Sequence, residues 1–412
     1  VSLGNGGGSG RVGPTLSYND DNQLDFDKQI LFHQTDAAID SNFNYNNRRA
    51  TVALRNSVNN HFWTGWLGTW DYKPTDEIRL QAGLDLRYYV GEHYQEVRNL
   101  LGGDYFVETI NRGTIGFVDS TRDMNIAGNR DLWVKGLGDK IGYYYDGMVN
   151  WTGGFAQAEY KEDDLSTYLN FSFSNTGYKR KDYFRTAESP NGNETDWQNF
   201  LGFTVKSGLN YNINEELNVY GNAGYYSRAP LYTAVFSNDN AIYLNTNNEK
   251  VISLEAGTGF YEKYFTANLN VYYTNWQDRS WTRSLRDSND NLIYYNLTGI
   301  NAVHQGVELE MSYRANRFLR FKGMLSLGDW THTDNVKAFA YDEANKPLDS
   351  VFLYLKGIKV GNSAQKSMSL SANISPIKRM YANLVFKYYW DNYADFAPNS
   401  RTNPKDSAQS WM

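Results

Sequence analysis

Leu217-Asn218-Val219-Tyr220-Gly221-Asn222-Ala223-Gly224-Tyr225 places Leu217, Val219, Gly221, Ala223 and Tyr225 on one side and Asn218, Tyr220, Asn222 and Gly224 on the other. Successive side chains of a β-strand point to opposite faces, so this stretch predicts a strand with one apolar and one wet face. The same split recurs at Ile252, Leu254, Ala256, Thr258 and Phe260, then at Phe265, Ala267, Leu269, Val271 and Tyr273. Further copies lie at 63–70, 78–88, 155–160, 165–173, 203–211, 303–311, 319–327, 368–374 and 380–388. Each is close to the length of a membrane-crossing strand, roughly 9–11 residues.

The connections sharpen the reading. Short segments rich in turn-forming or charged residues fall at 72–76, 161–164, 212–216, 261–264, 315–318 and 376–379. Long polar stretches fall between them, at 91–153, 176–198, 227–249, 276–302 and 330–364, and the order never breaks. Outer-membrane barrels alternate short periplasmic turns with long extracellular loops, whereas a soluble sandwich has no reason to. The fold expected is therefore all-β, an antiparallel transmembrane β-barrel of roughly thirteen strands, the first a stub, with long loops on one rim and short turns on the other. Aromatic residues at Trp63, Trp66 and Trp70, at Tyr88 and Tyr89, at Tyr225 and Tyr226, from 260 to 265 and from 388 to 390 fit girdles at the two membrane interfaces.

Composition agrees without deciding. The 412 residues include 16% aromatic side chains, 35 Gly, 8 Pro and no Cys, which suits a large β body and excludes a disulfide framework and cysteine metal sites. A net charge of -6 without a basic block excludes a nucleic-acid surface. Mean hydropathy is -0.63 and no apolar run would make a transmembrane helix, but a barrel strand gives lipid only every second residue. The chain opens on Val1 without a signal peptide, so the natural N-terminus is expected to lie upstream.

Several segments resemble the barrel portion of TonB-dependent outer-membrane receptors, over nearly the whole chain. Tyr225-Tyr226-Ser227-Arg228-Ala229-Pro230 is similar to the family's aromatic-Ser-Arg-x-Pro entry into an extracellular loop, and Ser253-Leu254-Glu255-Ala256-Gly257 to the strand returning from it. His304-Gln305-Gly306-Val307-Glu308-Leu309-Glu310 resembles the strand with the most specific of these motifs, and 388–395 a late strand of Bacteroidetes-type receptors. Val1 to Gly10 looks like the end of an early strand, and the expected terminal aromatic strand is not found before Met412. The motif residues are thus Ser227, Arg228, Pro230, Glu255, Gly257, Gly306, Glu308 and Glu310.

The resemblance implies a single partial barrel domain over residues 1–412, about 13 of about 22 strands, with the plug domain outside this chain. It implies residence in the outer membrane of a Gram-negative bacterium and active uptake of a nutrient, an iron chelate or a glycan. Energy would come from the TonB-ExbB-ExbD complex through the plug, with outer-membrane lipid around the wall and a surface lipoprotein as a candidate companion. A passive porin or adhesin barrel is the alternative, distinguished by the absence of an upstream plug-coding segment. An outer-membrane enzyme ranks last, because no nucleophile-base constellation is visible.

Other motifs read blandly. His33, His61, His93, His304 and His332 show no metal-ligand spacing and are expected to be solvated or lumen-facing. Gly6 to Gly10 lacks the Lys-Ser/Thr of a phosphate loop, and no cofactor is expected. Glu308 and Glu310 are period-two neighbours lining a lumen in preference to an acid/base pair, and the Gly at 306 allows close packing there. Asp287, Asn289 and Asn291 open like a calcium loop but lack its Gly and Glu, so turn chemistry explains them, as it does Asp163 and Asp164. Tyr232, Phe236, Tyr243, Trp276, Trp281 and Trp330 are loop aromatics expected to pack more often than to stack on a ligand.

Overall fold

The computed structural model describes residues 2–5, 18–39, 46–107, 134–185, 191–238, 240–243, 246–286, 292–341, 348 and 350–405. The strands in chain order are β1 Ser2–Asn5, β2 Arg49–Ala50, β3 Val52–Tyr72, β4 Ile78–Asn99, β5 Tyr105–Val107, β6 Val134–Lys135, β7 Lys140–Glu162, β8 Leu165–Asp182 and β9 Gln198–Asn212. They continue as β10 Leu217–Arg228, β11 Glu249–Tyr261, β12 Phe265–Arg286, β13 Leu292–Arg314, β14 Leu319–His332, β15 Val336–Tyr341, β16 Val351–Leu353, β17 Ala364–Ile374 and β18 Ala382–Asn392.

Thirteen of these form one meander, β1-β3-β4-β7-β8-β9-β10-β11-β12-β13-β14-β17-β18, every pair antiparallel and each strand beside its sequence neighbour in the wall. The strand number and the four-residue first stub match the sequence reading. All six short turns stand where expected, on one rim. Asp163, between β7 and β8, adopts a φ of 45°, the left-handed conformation that Asp tolerates at a tight turn. Among the described residues no pairing joins β1 to β18, and the meander is consistent with part of a barrel wall.

Register carries the alternation intact from strand to strand. Leu209 faces Gly221, Gly221 faces Ala256, Ala256 faces Val271, and Val271 faces Val307. One face is therefore apolar across the wall, and the other aligns Asn222, Glu255, Tyr272 and Gly306. The apolar face meets lipid and the polar face the lumen.

The long connections differ from expectation. A strand rising about 3.3 Å per residue and tilted about 45° crosses a 25 Å apolar band in roughly eleven residues. Yet β4, β7, β12 and β13 run to 22 or 23 residues, so hairpin pairing climbs well into the stretches read as loops. β12 and β13 stay paired from Phe265–Tyr313 up to Arg286–Leu292. Above lipid neither face must be apolar, so the backbone ladder persists while the hydrophobic alternation that signals it stops.

The aromatic girdles also need correction. Trp70 and Tyr72 stack at 5.4 Å near the periplasmic turns, and Phe203 and Tyr225 stack at 5.2 Å near the outer boundary, all on the lipid face. Trp63, Tyr89, Tyr226, Tyr261 and Tyr389 have the opposite parity and belong to the lumen face. Neighbouring residues of a strand cannot share a face, so adjacent aromatic pairs split between lipid and lumen.

Two small bodies sit above the membrane. One contains a helix, α1 Phe26–His33, capped by the Asp25 side chain accepting from Lys28 N at 2.9 Å, and a small sheet of β2, β5 and β6. The other packs Leu297, Val336, Ala338, Leu353, Leu355 and Phe396 into a core joining the tops of β12 and β13 to β15 and β16.

Candidate functional site

The motif residues divide between two heights. At mid-wall, Glu255 accepts from Asn222 Nδ2 at 3.3 Å, and Tyr220 donates its hydroxyl to Asn270 Oδ1 at 3.2 Å. Gly257 lies beneath Tyr220 and Gly306 beneath Tyr272, where a Cβ would collide with each phenol. Glu308 accepts from Ser326 Oγ at 3.3 Å, and Glu310 stands on the same face between Asn268 and Met324. These are lumen-lining groups joined by cross-strand hydrogen bonds.

At the outer rim, Arg228 donates through Nε and Nη2 to Glu249 Oε2 at 2.8 and 2.5 Å. Glu249 is only 3% exposed, and its Oε1 also accepts from Ser280 N at 3.4 Å. Ser227 Oγ accepts from Asn248 Nδ2 at 3.0 Å, and the Pro230 carbonyl accepts from the Tyr178 hydroxyl at 3.0 Å. The Ser-Arg-x-Pro segment thus ties the end of β10 to its neighbours. The eight residues do not converge on one site.

A cavity of about 260 Å³ opens higher up, between the top of β8, the connection from β10 to β11 and the β12–β13 hairpin. Tyr145, Tyr232, Phe236, Tyr243 and Tyr294 line it with Arg180 and Arg283. Arg180 stacks over Tyr145 at 4.4 Å and binds Asp182 at 3.1 Å and the Asn240 side chain. Arg283 stacks over Trp281 at 4.2 Å and binds Asp395 at 2.7 Å. Both cations are balanced by carboxylates, and the walls offer aromatic faces and hydroxyls. Burial pushes the Tyr232 phenol far above its ordinary range, keeping it a donor to the Lys179 carbonyl at 3.2 Å.

Of the six loop aromatics, Tyr232, Phe236 and Tyr243 line this cavity, and Trp281 packs edge-on to Phe396. Tyr145, Arg180 and Arg283 had no sequence signal, because each is an isolated residue that only the fold brings to the cavity. Asp287, Asn289 and Asn291 lie outside the described residues, as does Gly6 to Gly10.

His33 corrects the expectation for histidines. It is fully buried under α1, with Nδ1 2.8 Å from the Leu101 carbonyl and Nε2 accepting from Thr51 N at 3.0 Å. Those partners require the Nδ1–H tautomer, and burial pushes its pKa below the ordinary imidazole value. His332 is likewise buried. Among the described residues no three His, Cys, Asp or Glu side chains are placed to hold a metal.

A profile of the TonB dependent receptor-like β-barrel family matches residues 2–411. The chain belongs to the TonB-dependent receptors. No curated protein sequence matches it. Among solved structures, the ferric citrate transporter FecA superposes with a TM-score of 0.54 at 11% identity, over 83% of this chain and 43% of that one. The FrpB iron transporter from Neisseria meningitidis gives 0.51 at 15% identity, over 84% and 45%, and the copper transporter OprC 0.51 at 11%, over 82% and 52%. At these identities the likeness concerns the fold, and the chain spans about half the length of these structures. TonB-dependent receptor barrels reside in the Gram-negative outer membrane, so the apolar face is the lipid-facing one and the family is one of transport receptors, not enzymes.

Proposed function

We propose that this chain forms the wall and mouth of an outer-membrane receptor that takes up a nutrient with energy delivered through TonB. The supporting observation is the pairing of a continuous polar lumen face with an aromatic-lined cavity at its outer mouth, within a chain of this family. Residues 1–412 act as part of a longer receptor whose N-terminal plug occupies the lumen and contacts the TonB-ExbB-ExbD complex. The wall residues supply shape and field. Family membership disfavours the passive porin or adhesin reading, and an accessory surface lipoprotein fits the exposed hairpin tops.

Iron chelates and glycans both suit such a mouth. A strain deleted for this gene should lose growth on one of them as sole source, and dissipating the proton-motive force should abolish uptake by the intact strain. Uptake that persists without the proton-motive force would sink the TonB-coupled reading.

A further inference from the structure

The strongest unexplained chemistry lies below the cavity, on the lumen face where β12, β13 and β14 leave the membrane. β12 carries two register shifts there, between Trp276 and Arg279 and between Arg279 and Trp281. Asp278 takes a φ of 57°, a left-handed conformation on a non-glycine residue. Bulges re-aim side chains, and this one sets Arg279 opposite Ile300, on the inner face with Trp276, Ala302 and His304. Across Ala302 from Trp276 stands His332, and across His304 stands Trp330, its ring 5.4 Å away.

Three cations around this patch are matched by carboxylates. Arg228 is matched by Glu249, Lys250 by Asp278 at 3.0 Å, and Arg283 by Asp395 at 2.7 Å. Asn362 Nδ2 also donates to Asp395, at 3.1 Å. Arg279 has no carboxylate partner among the described residues and rests against Trp276, 5.3 Å from the ring centroid. Beside it, His304 Nδ1 and His332 Nδ1 are buried nitrogens without a hydrogen-bond partner, and His332 is only 5% exposed. Burial and Arg279 disfavour a proton on His332, while the Asn301 backbone and the Asp395 carboxylate favour one. Buried imidazole nitrogens without partners are uncommon and call for an explanation.

We infer that Arg279, His304 and His332 form a binding site for an oxyanion group, a carboxylate or phosphate, at the outer mouth of the lumen. An unpaired guanidinium offers a planar fork of donors, and each imidazole becomes a further donor once the anion favours its protonated form. A metal cation would use the same imidazoles but would be repelled by Arg279. The site deepens the uptake reading by giving the cargo an anionic group. It rests on that reading for its biological role, but binding is measured without transport.

The test titrates the receptor, purified from outer membranes in detergent, with inorganic phosphate and with citrate, following tryptophan fluorescence and heat. Trp276 and Trp330 should report binding by at least one anion, while Arg279→Gln weakens it about tenfold or more. Because burial lowers the His332 pKa to about 4, an anion that raises it makes binding take up a proton, so affinity for a given protonation state of the anion should grow as pH falls from about 8 to 5. His304→Asn, at a less buried position, should flatten that dependence. No binding of either anion, or binding unchanged by Arg279→Gln, overturns the site. Binding of Zn²⁺ or Cu²⁺ that survives Arg279→Gln but is lost in His304→Asn replaces it with a metal site. Failure of anion binding with uptake intact removes this site alone and leaves the uptake reading standing.

Discussion

The phenol of Tyr272 lies over Gly306 on the neighbouring strand, its hydroxyl 2.6 Å from where a Cβ of residue 306 would stand. The same hydroxyl accepts from Trp330 Nε1 at 3.0 Å, so the ring is held flat against the wall. Gly306→Val should force the phenol off and disturb the Trp330 contact, at a cost of about 1–3 kcal/mol. Gly323→Ala, whose added carbon would meet nothing nearer than 3.6 Å, should be neutral. Urea unfolding of both variants in detergent checks this, and equal stability would discard the ring-over-glycine account.

Val271 and Asn270 are adjacent in β12 yet belong to opposite media. Val271 is 50% exposed on the lipid face, whereas Asn270 accepts from the Tyr220 hydroxyl in the lumen. Val271→Arg should destabilise the barrel in lipid vesicles by about 2–4 kcal/mol, and Asn270→Arg by distinctly less. A reversed ranking would mean that the faces are assigned backwards.

Glu249 is buried and ion-paired with Arg228. Arg228→Ala should therefore loosen the rim by about 1–2 kcal/mol, with Glu249→Gln milder because the exposed guanidinium stays hydrated. Hydrogen exchange at the ends of β10 and β11 measures the difference. Equal effects from the two substitutions would contradict a buried carboxylate held by one arginine.

His33 gives the extracellular body a pH response. Its folded-state pKa lies below the ordinary value, so the locally unfolded segment binds a proton more readily than the folded one. Stability is then complete above the ordinary imidazole range, near pH 6.5, and declines as pH falls through it. Exchange of α1 amides, corrected for intrinsic rates, should rise between about pH 7.5 and 5.5 and lose that rise in His33→Gln. A profile unchanged by the substitution would exclude His33 as the cause.

The wall was legible because lipid and lumen impose opposite demands on alternate residues. Leu217 to Tyr225 and its copies could not serve that boundary in any other register. Above the membrane the constraint lapses. Nothing in Gln277 to Arg286 alternates as Phe265 to Tyr273 does, so the upper half of β12 read as loop although its ladder continues. The first part of the chain shows the same limit: α1 has an Asp25 cap and little else, being held by long-range contacts such as His33 to Thr51 and Leu101. The motif residues fall partly on the lumen wall and partly at its rim, whereas Arg180, Arg279 and Arg283 owe their places to tertiary assembly.

The ladder of β12 and β13 is interrupted around Asp278 but resumes the same register above it, so the mouth inherits its register from the periplasmic turns. A single-residue insertion low in either strand would exchange the two faces all the way up, moving Trp276 and His304 to the outside. Variation at the mouth is therefore quantised: a hairpin can lengthen by pairs of residues without disturbing what lies above. An odd change must be absorbed locally, and the two register shifts around Asp278 are of opposite sense, so the β12–β13 pairing above them resumes the register it has below.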